Sequence, residues 1–168
     1  MRPHDSRLST TAILLSRGIR CVVLHPDDDD GATLTNHLRR MGFKVQAFWP
    51  IPERLPADTD LIFYALQSDN PEPDVSWLNL SKHVLIAVIA YENPTFIDQT
   101  ISMGAGATIT TPIRSSGLLS AMVFALHHAQ QQRQMSDRIE RLEKKMLGIR
   151  QVSEAKAILM RMHSIGEE

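Results

Sequence analysis

The chain has a single cysteine, Cys21, so it can form no internal disulfide, and a fold stapled by bridges is excluded. Net charge is nearly absent too. Its 18 Lys+Arg and 19 Asp+Glu leave -1 at pH 7, too little to drive the whole molecule onto nucleic acid or a membrane surface. Long hydrophobic runs are missing. AILL at 12–15 is too short for a signal-peptide core, and nothing later reaches the roughly 20 apolar residues that cross a bilayer. Cys21 sits in the apolar run CVVL, as a buried reduced thiol would, and these features together predict a soluble cytoplasmic protein. Proline is absent from 116 to 165 and glycine occurs there only at 117 and 148, so little interrupts a helix.

With 168 residues, 43% of them hydrophobic, the chain has room for one ordinary domain and an extension. CVVLH (21–25) is short, apolar and rich in β-branched residues, which suits a strand covered on both faces. GATLTNHLRRMG (31–42) sets Leu34, Leu38 and Met41 at helical spacing and closes on Gly42. FKVQAFW (43–49) is a second strand, ended by the proline-rich turn PIPERLP. DLIFYAL (60–66), HVLIAVIAY (83–91) and ATITT (107–111) are the third, fourth and fifth. A helix over 93–103 carries Phe96, Ile97 and Ile101. Strands alternating with helices predict an α/β fold, a doubly wound parallel five-stranded sheet with helices on both faces, over residues 18–128.

The row Asp27, Asp28, Asp29 and Asp30 follows the first strand and raises the question of chemistry. Three readings compete. Consecutive side chains in one loop rarely converge on a metal, because hard-cation sites space their ligands. Phosphoryl transfer needs a carboxylate oxygen in line with the donor and a divalent ion. Helix capping needs neither: one aspartate caps the helix near Gly31, and the others favour its positive end by ~0.3–1 kcal/mol each. Capping is the preferred reading, with no metal site and no catalytic residue.

From 116 onward a helix of 30-odd residues would extend roughly 45–50 Å at ~1.5 Å per residue, too long for a domain of this size to contain. Leu118, Leu119, Met122, Phe124, Ala125 and Leu126 can cover the sheet at its start. Met135, Ile139, Leu142, Met146 and Ile149 then fall at d, a, d, a and d of a heptad, with Arg138 at g and Glu143 at the following e carrying opposite charges. Asp137–Arg141 and Glu140–Lys144 add spacing for ion pairs within one helix. The pattern fits a coiled-coil dimerisation helix over 129–150, making a homodimer. The alternative is a lone surface helix with an apolar stripe.

The strand and helix order over about 20–126 resembles a two-component receiver domain, a flavodoxin-like fold. In that family the first strand ends in an acidic pair that binds magnesium, the third in the phosphorylated aspartate, and the fourth in Ser or Thr; the fifth carries Lys before a proline. Counted from Gly42, the family spacing sets the acidic pair on His25 and Pro26, the acceptor on Ala65, the fourth-strand residue on Ile89 or Ala90, and the Lys on Thr111. None keeps its chemistry. The resemblance implies a degenerate phosphorylation site and a phosphorylation-independent (pseudo-)receiver.

The tail AKAILM followed by RMHSIGEE resembles the opening of the ANTAR domain, an RNA-binding module. FWPIPERLP after the second strand and VIAYENP after the fourth are similar to the AmiR-like branch of that family of transcription antitermination regulators. The resemblance covers residues 20–168. It implies a cytoplasmic response regulator, not an enzyme and without cofactor, that binds paired stem-loops of a nascent leader mRNA. Matching by motif implies RNA-binding roles for Lys156, Arg161 and His163, although on physical grounds Lys156 is equally a solvated helix lysine. It also implies control by a ligand-sensing negative regulator resembling periplasmic binding proteins. The family module continues with two further short helices, so 151–168 would be only the first helix of a truncated ANTAR domain. That leaves a second expectation, a dimeric protein-interaction module that sequesters a partner and binds no RNA.

Other signals are weak. Asn79-Leu80-Ser81 matches a glycosylation acceptor without a secretory context, His127 and His128 diverge on a helix surface, and Trp49 and Trp77 suit packing or partner contact better than base stacking.

Overall fold

A computed structural model describes residues 18–67, 77–78 and 82–164, together with Ala12. Most of the AILL run, the triplet at 79–81 and the last four residues lie outside the described residues. Five parallel strands form one sheet in the order β2-β1-β3-β4-β5: β1 (Arg20–Leu24), β2 (Lys44–Phe48), β3 (Leu61–Ala65), β4 (Val84–Ile89) and β5 (Ala107–Thr110). The expected architecture is present. The three central strands are buried almost throughout, whereas β2 and β5 at the edges are partly exposed.

Alternation along each central strand divides the core. Cys21, Val23, Leu61, Phe63, Ile86 and Val88 face α1 (Asp29–Arg40) and the first turns of α3 (Leu118–Ser164). Val22, Leu24, Ile62, Tyr64, Leu85 and Ala87 face α2 (Pro94–Ser102) on the other side. No helix follows β2, because Pro50, Pro52 and Pro56 withhold the N–H groups a helix needs; Ile51 and Leu55 of that loop cover the second face instead.

Local chemistry sets the helix ends. Asp28 caps α1, its Oδ1 accepting from the Gly31 N–H at 2.9 Å, with Asp29 and Asp30 in the first turn and His37, Arg39 and Arg40 in the last. Asn93 caps α2, accepting from the Phe96 N–H at 2.7 Å, with Pro94 at the first helical position. Leu34 and Leu38 are fully buried, each worth ~1.5–3 kcal/mol.

Two helices turn a different face inward than the sequence suggests. In α2 the buried set is Phe96 and Thr100, with Met103 just after it, while Ile97 and Ile101 are exposed. Both stripes fit a helical period, and the Thr100 hydroxyl removes the cost of burying it by donating to the Phe96 carbonyl at 2.8 Å. In α3, Leu118, Met122 and Ala125 are buried and Leu126 partly so, but Leu119 and Phe124 point outward.

Residues 18–129 fall within one compact unit and those from Gln130 onward in a second, both served by α3. Helix α3 passes residue 150 without a break, although a boundary between two modules is expected there; no proline stands near it. In the second unit Glu140 and Lys144 pair at 2.6 Å and Arg150 and Glu154 at 3.0 Å, whereas Asp137 and Arg141 do not pair. Exposed pairs of this kind contribute ~0.3–0.5 kcal/mol.

Core packing sets the first expectation. Leu38→Ala lowers unfolding stability by ~2–5 kcal/mol in urea titration, while Ile101→Ala, at a position 69% exposed, changes it by less than ~0.5. Cys21 supplies a second. Burial, aided by the nearby Asp60 charge, pushes its thiol from 9.0 up to about 12. From pH 9 the unfolded chain gives up a proton that the folded chain keeps, so this group's contribution is intact below pH 9 and declines towards pH 12. The stability of Cys21→Ala falls less steeply across that window, measured by denaturation at stepped pH.

Candidate functional site at the carboxyl edge of the sheet

Parallel strands end on one edge, and there the positions singled out by the resemblance meet. His25, Pro26, Ala65 and Thr111 line one cavity of about 200 Å³, with Ile89 and Ala90 from the end of β4 and Asp28 and Asp30 from the start of α1. At position 65 the wall is a methyl group and no phosphoryl acceptor. Among the described residues no group of three or more His, Cys, Asp or Glu side chains could hold a metal ion.

His25 is 8% exposed and lies under the start of α1. Its Nδ1 stands 3.1 Å from the Pro26 carbonyl oxygen and 3.3 Å from Asp28 Oδ1. Both neighbours only accept, so Nδ1 carries the hydrogen. The closeness of this packing depends on Gly31, where an added Cβ would lie 2.6 Å from the Pro26 oxygen and 3.0 Å from Nδ1. Thr111 donates its N–H to the Ile89 oxygen at 3.0 Å, and its hydroxyl reaches the Ala90 oxygen at 3.4 Å. The threonine serves the loop backbone where the resemblance places a lysine.

Asp30 does what the sequence does not disclose. Its Oδ1 accepts from the Ile113 N–H at 2.9 Å, joining α1 to the segment that leads into α3. The partners are 83 residues apart, and no local pattern encodes the contact. Two of the four aspartates are thus occupied by backbone donors, Asp28 by Gly31 and Asp30 by Ile113. A second cleft of about 400 Å³ opens beside His25, lined on its far side by Phe48, Trp49 and Arg39.

The remaining sequence-singled residues lie on the second unit and are exposed. Met135, Ile139, Leu142, Met146 and Ile149 are 51–71% accessible in the single chain, with Arg138 and Glu143 exposed beside them. Beyond 150 the apolar positions Val152, Ala155, Ile158, Leu159 and Met162 form another exposed stripe. A rotation of ~100° per residue sets this stripe roughly 150° around the helix from the first. Lys156 and His163, seven residues apart, flank it on one side and Arg161 on the other, all three exposed. The helix therefore does not gather the three onto a single face.

Two outcomes are expected from this geometry. Incubation with acetyl phosphate and magnesium adds no phosphoryl group to the intact protein, read by mass spectrometry. Gly31→Ala lowers stability by ~1–3 kcal/mol because its Cβ meets backbone and a packed ring; thermal unfolding measures it.

Comparison with known proteins agrees with this geometry. The family model described as "AmiR, N-terminal" matches residues 19–126. The chain is 26% identical over 164 residues to the aliphatic amidase regulator of Pseudomonas aeruginosa, spanning 95% of this chain and 84% of that one. Among solved structures, a response regulator from Thermotoga maritima superposes with a TM-score of 0.52 at 18% identity, covering 66% of this chain and 99% of that one. A CheY-like response regulator receiver domain protein from Methanospirillum hungatei gives 0.50 at 17%, covering 69% and 99%. These two likenesses concern the fold alone, which is receiver-like. The chain belongs to the AmiR N-terminal family, whose region in this molecule ends in the first turns of α3.

Proposed function

We propose that this chain is a transcription antitermination regulator that binds paired stem-loops of a nascent leader mRNA and is controlled by protein contact, not by phosphorylation. The observation that carries the reading is Ala65 in the acceptor position of a receiver-like domain that matches the AmiR family. Without a carboxylate there, a signal must arrive through a surface. A ligand-sensing negative regulator resembling periplasmic binding proteins is the proposed source.

In this reading the stripe from Met135 to Ile149 pairs two copies in parallel, with Arg138 of each copy facing Glu143 of the other. Apolar side chains this exposed on one helix favour such burial. The dimer presents two copies of the segment beginning at 151 to two RNA loops. Lys156 and His163 supply one contact flank and Arg161 the other, with cationic groups on phosphates and polar groups on unstacked bases. No step is catalytic and no cofactor takes part. The protein acts in the cytoplasm, and among the described residues no helix is long and apolar enough to cross a membrane.

A gel shift with a two-hairpin leader RNA tests the RNA role. Lys156→Ala weakens binding about fivefold, the loss of one phosphate contact. RNA held equally by the wild type and this variant removes Lys156 from the interface. A dimer that binds a partner protein yet retains no RNA supports sequestration instead. Leu142→Asp yields monomers in sedimentation equilibrium if the stripe is the seam, and an unchanged mass excludes it.

A further inference from the structure

The segment 111–117 joins β5 to α3, and its attachment to the domain is sparse. Residues 114–117 are all exposed. A cavity of about 430 Å³ borders the segment from Thr108 to Leu118, and the 200 Å³ cavity of the degenerate site opens at Thr111. Between these spaces Ile113 is the anchor. Its side chain is buried at 8% exposure in the core, and its N–H donates to Asp30 Oδ1 at 2.9 Å. At the far end Gly117 has φ +88°, a left-handed conformation that suits glycine, and an added Cβ there would meet no atom within 4 Å. Thr111 thus holds the segment to the end of β4, Ile113 ties it to α1, and Gly117 is an unobstructed joint at its far end.

We propose that the Asp30–Ile113 hydrogen bond is a latch, and Gly117 its pivot, by which the segment 111–117 opens and closes beside the degenerate site while the first turns of α3 stay packed in the core. Asp30 lies in the first turn of α1, two residues from the Asp28 cap that holds Gly31 over His25. A contact that draws Asp30 away leaves the Ile113 N–H without its acceptor. A half-buried donor in that state favours swinging out to water. The movement then occurs about Gly117, without disturbing the five strands. This inference concerns the receiver-like unit and does not depend on RNA binding.

Amide hydrogen exchange on the full chain, resolved by residue, tests the latch in wild type, Asp30→Ala and Asp30→Asn. Removing a charge-assisted bond accelerates exchange of the amides from Ile113 to Leu118 about tenfold in Asp30→Ala. Those of β1, β3 and β4 stay at wild-type rates. Asp30→Asn keeps an acceptor oxygen and remains within about threefold of wild type. The latch is overturned by unchanged exchange at 113–118 in Asp30→Ala, by acceleration spread evenly over the sheet, or by Asp30→Asn matching Asp30→Ala. A failure of Asp30→Ala to fold also counts against it, because a latch is not required for the sheet.

Discussion

The N–H groups at the start of a helix and in the loop beside it need acceptors, and here two aspartates supply them. Asp28 takes the N–H of Gly31 and Asp30 that of Ile113. In a phosphate-accepting site the acids need a metal ion, and the metal needs a further carboxylate on the third strand. In the proposed reading Ala65 stands where that carboxylate would be, and here the partners of Asp28 and Asp30 are peptide N–H groups. His25 can then be buried next to the rim, with its Nδ1 hydrogen directed at the Pro26 oxygen and the capping aspartate.

The second constraint lies in helix α3. Its first turns belong to the core through Leu118, Met122 and Ala125, while its later turns carry apolar residues that nothing in the single chain covers. The two later stripes lie roughly 150° apart on an ideal helix. One flat contact cannot cover both. If the first meets a second copy, the second faces away from that seam and is free for another element. One uninterrupted helix thus carries two exposed apolar faces, and the passage from one to the other at about residue 150 shows only as a change of phase.

Much of the fold is legible in the sequence because its signals are local. Apolar β-branched runs such as CVVL and VLIAVI mark strands buried on both faces, and an aspartate just before Gly31 marks a cap. Helix phase is less legible where apolar residues lie on both sides. Ile97 and Ile101 compete with Phe96 and Thr100, and a threonine able to satisfy itself on the Phe96 carbonyl takes the inner position. Phe124 misleads for a similar reason, as an aromatic on the outer face of a helix whose inner face is filled by Leu118, Met122 and Ala125. Of the candidate site, positions 25, 26, 65 and 111 are those that the resemblance to receiver domains singles out. The bond across 83 residues from Asp30 to Ile113 cannot be read from the sequence, since only the closed sheet brings its partners together.

If a receiver-like domain is controlled by protein contact, as proposed, that contact must meet a thermodynamic condition. A partner moves an equilibrium only by the difference between its affinities for the two states; tight binding to both moves nothing. That condition favours elements held by few interactions, because a modest difference in affinity then suffices. The five strands do not qualify, being buried and paired along their length. The segment from Thr111 to Gly117 does, with one polar tie to α1, one buried side chain and an unhindered glycine before the helix. A surface contact at the carboxyl edge meets this segment first, with the buried sheet and the packed first turns of α3 as the frame against which it would move.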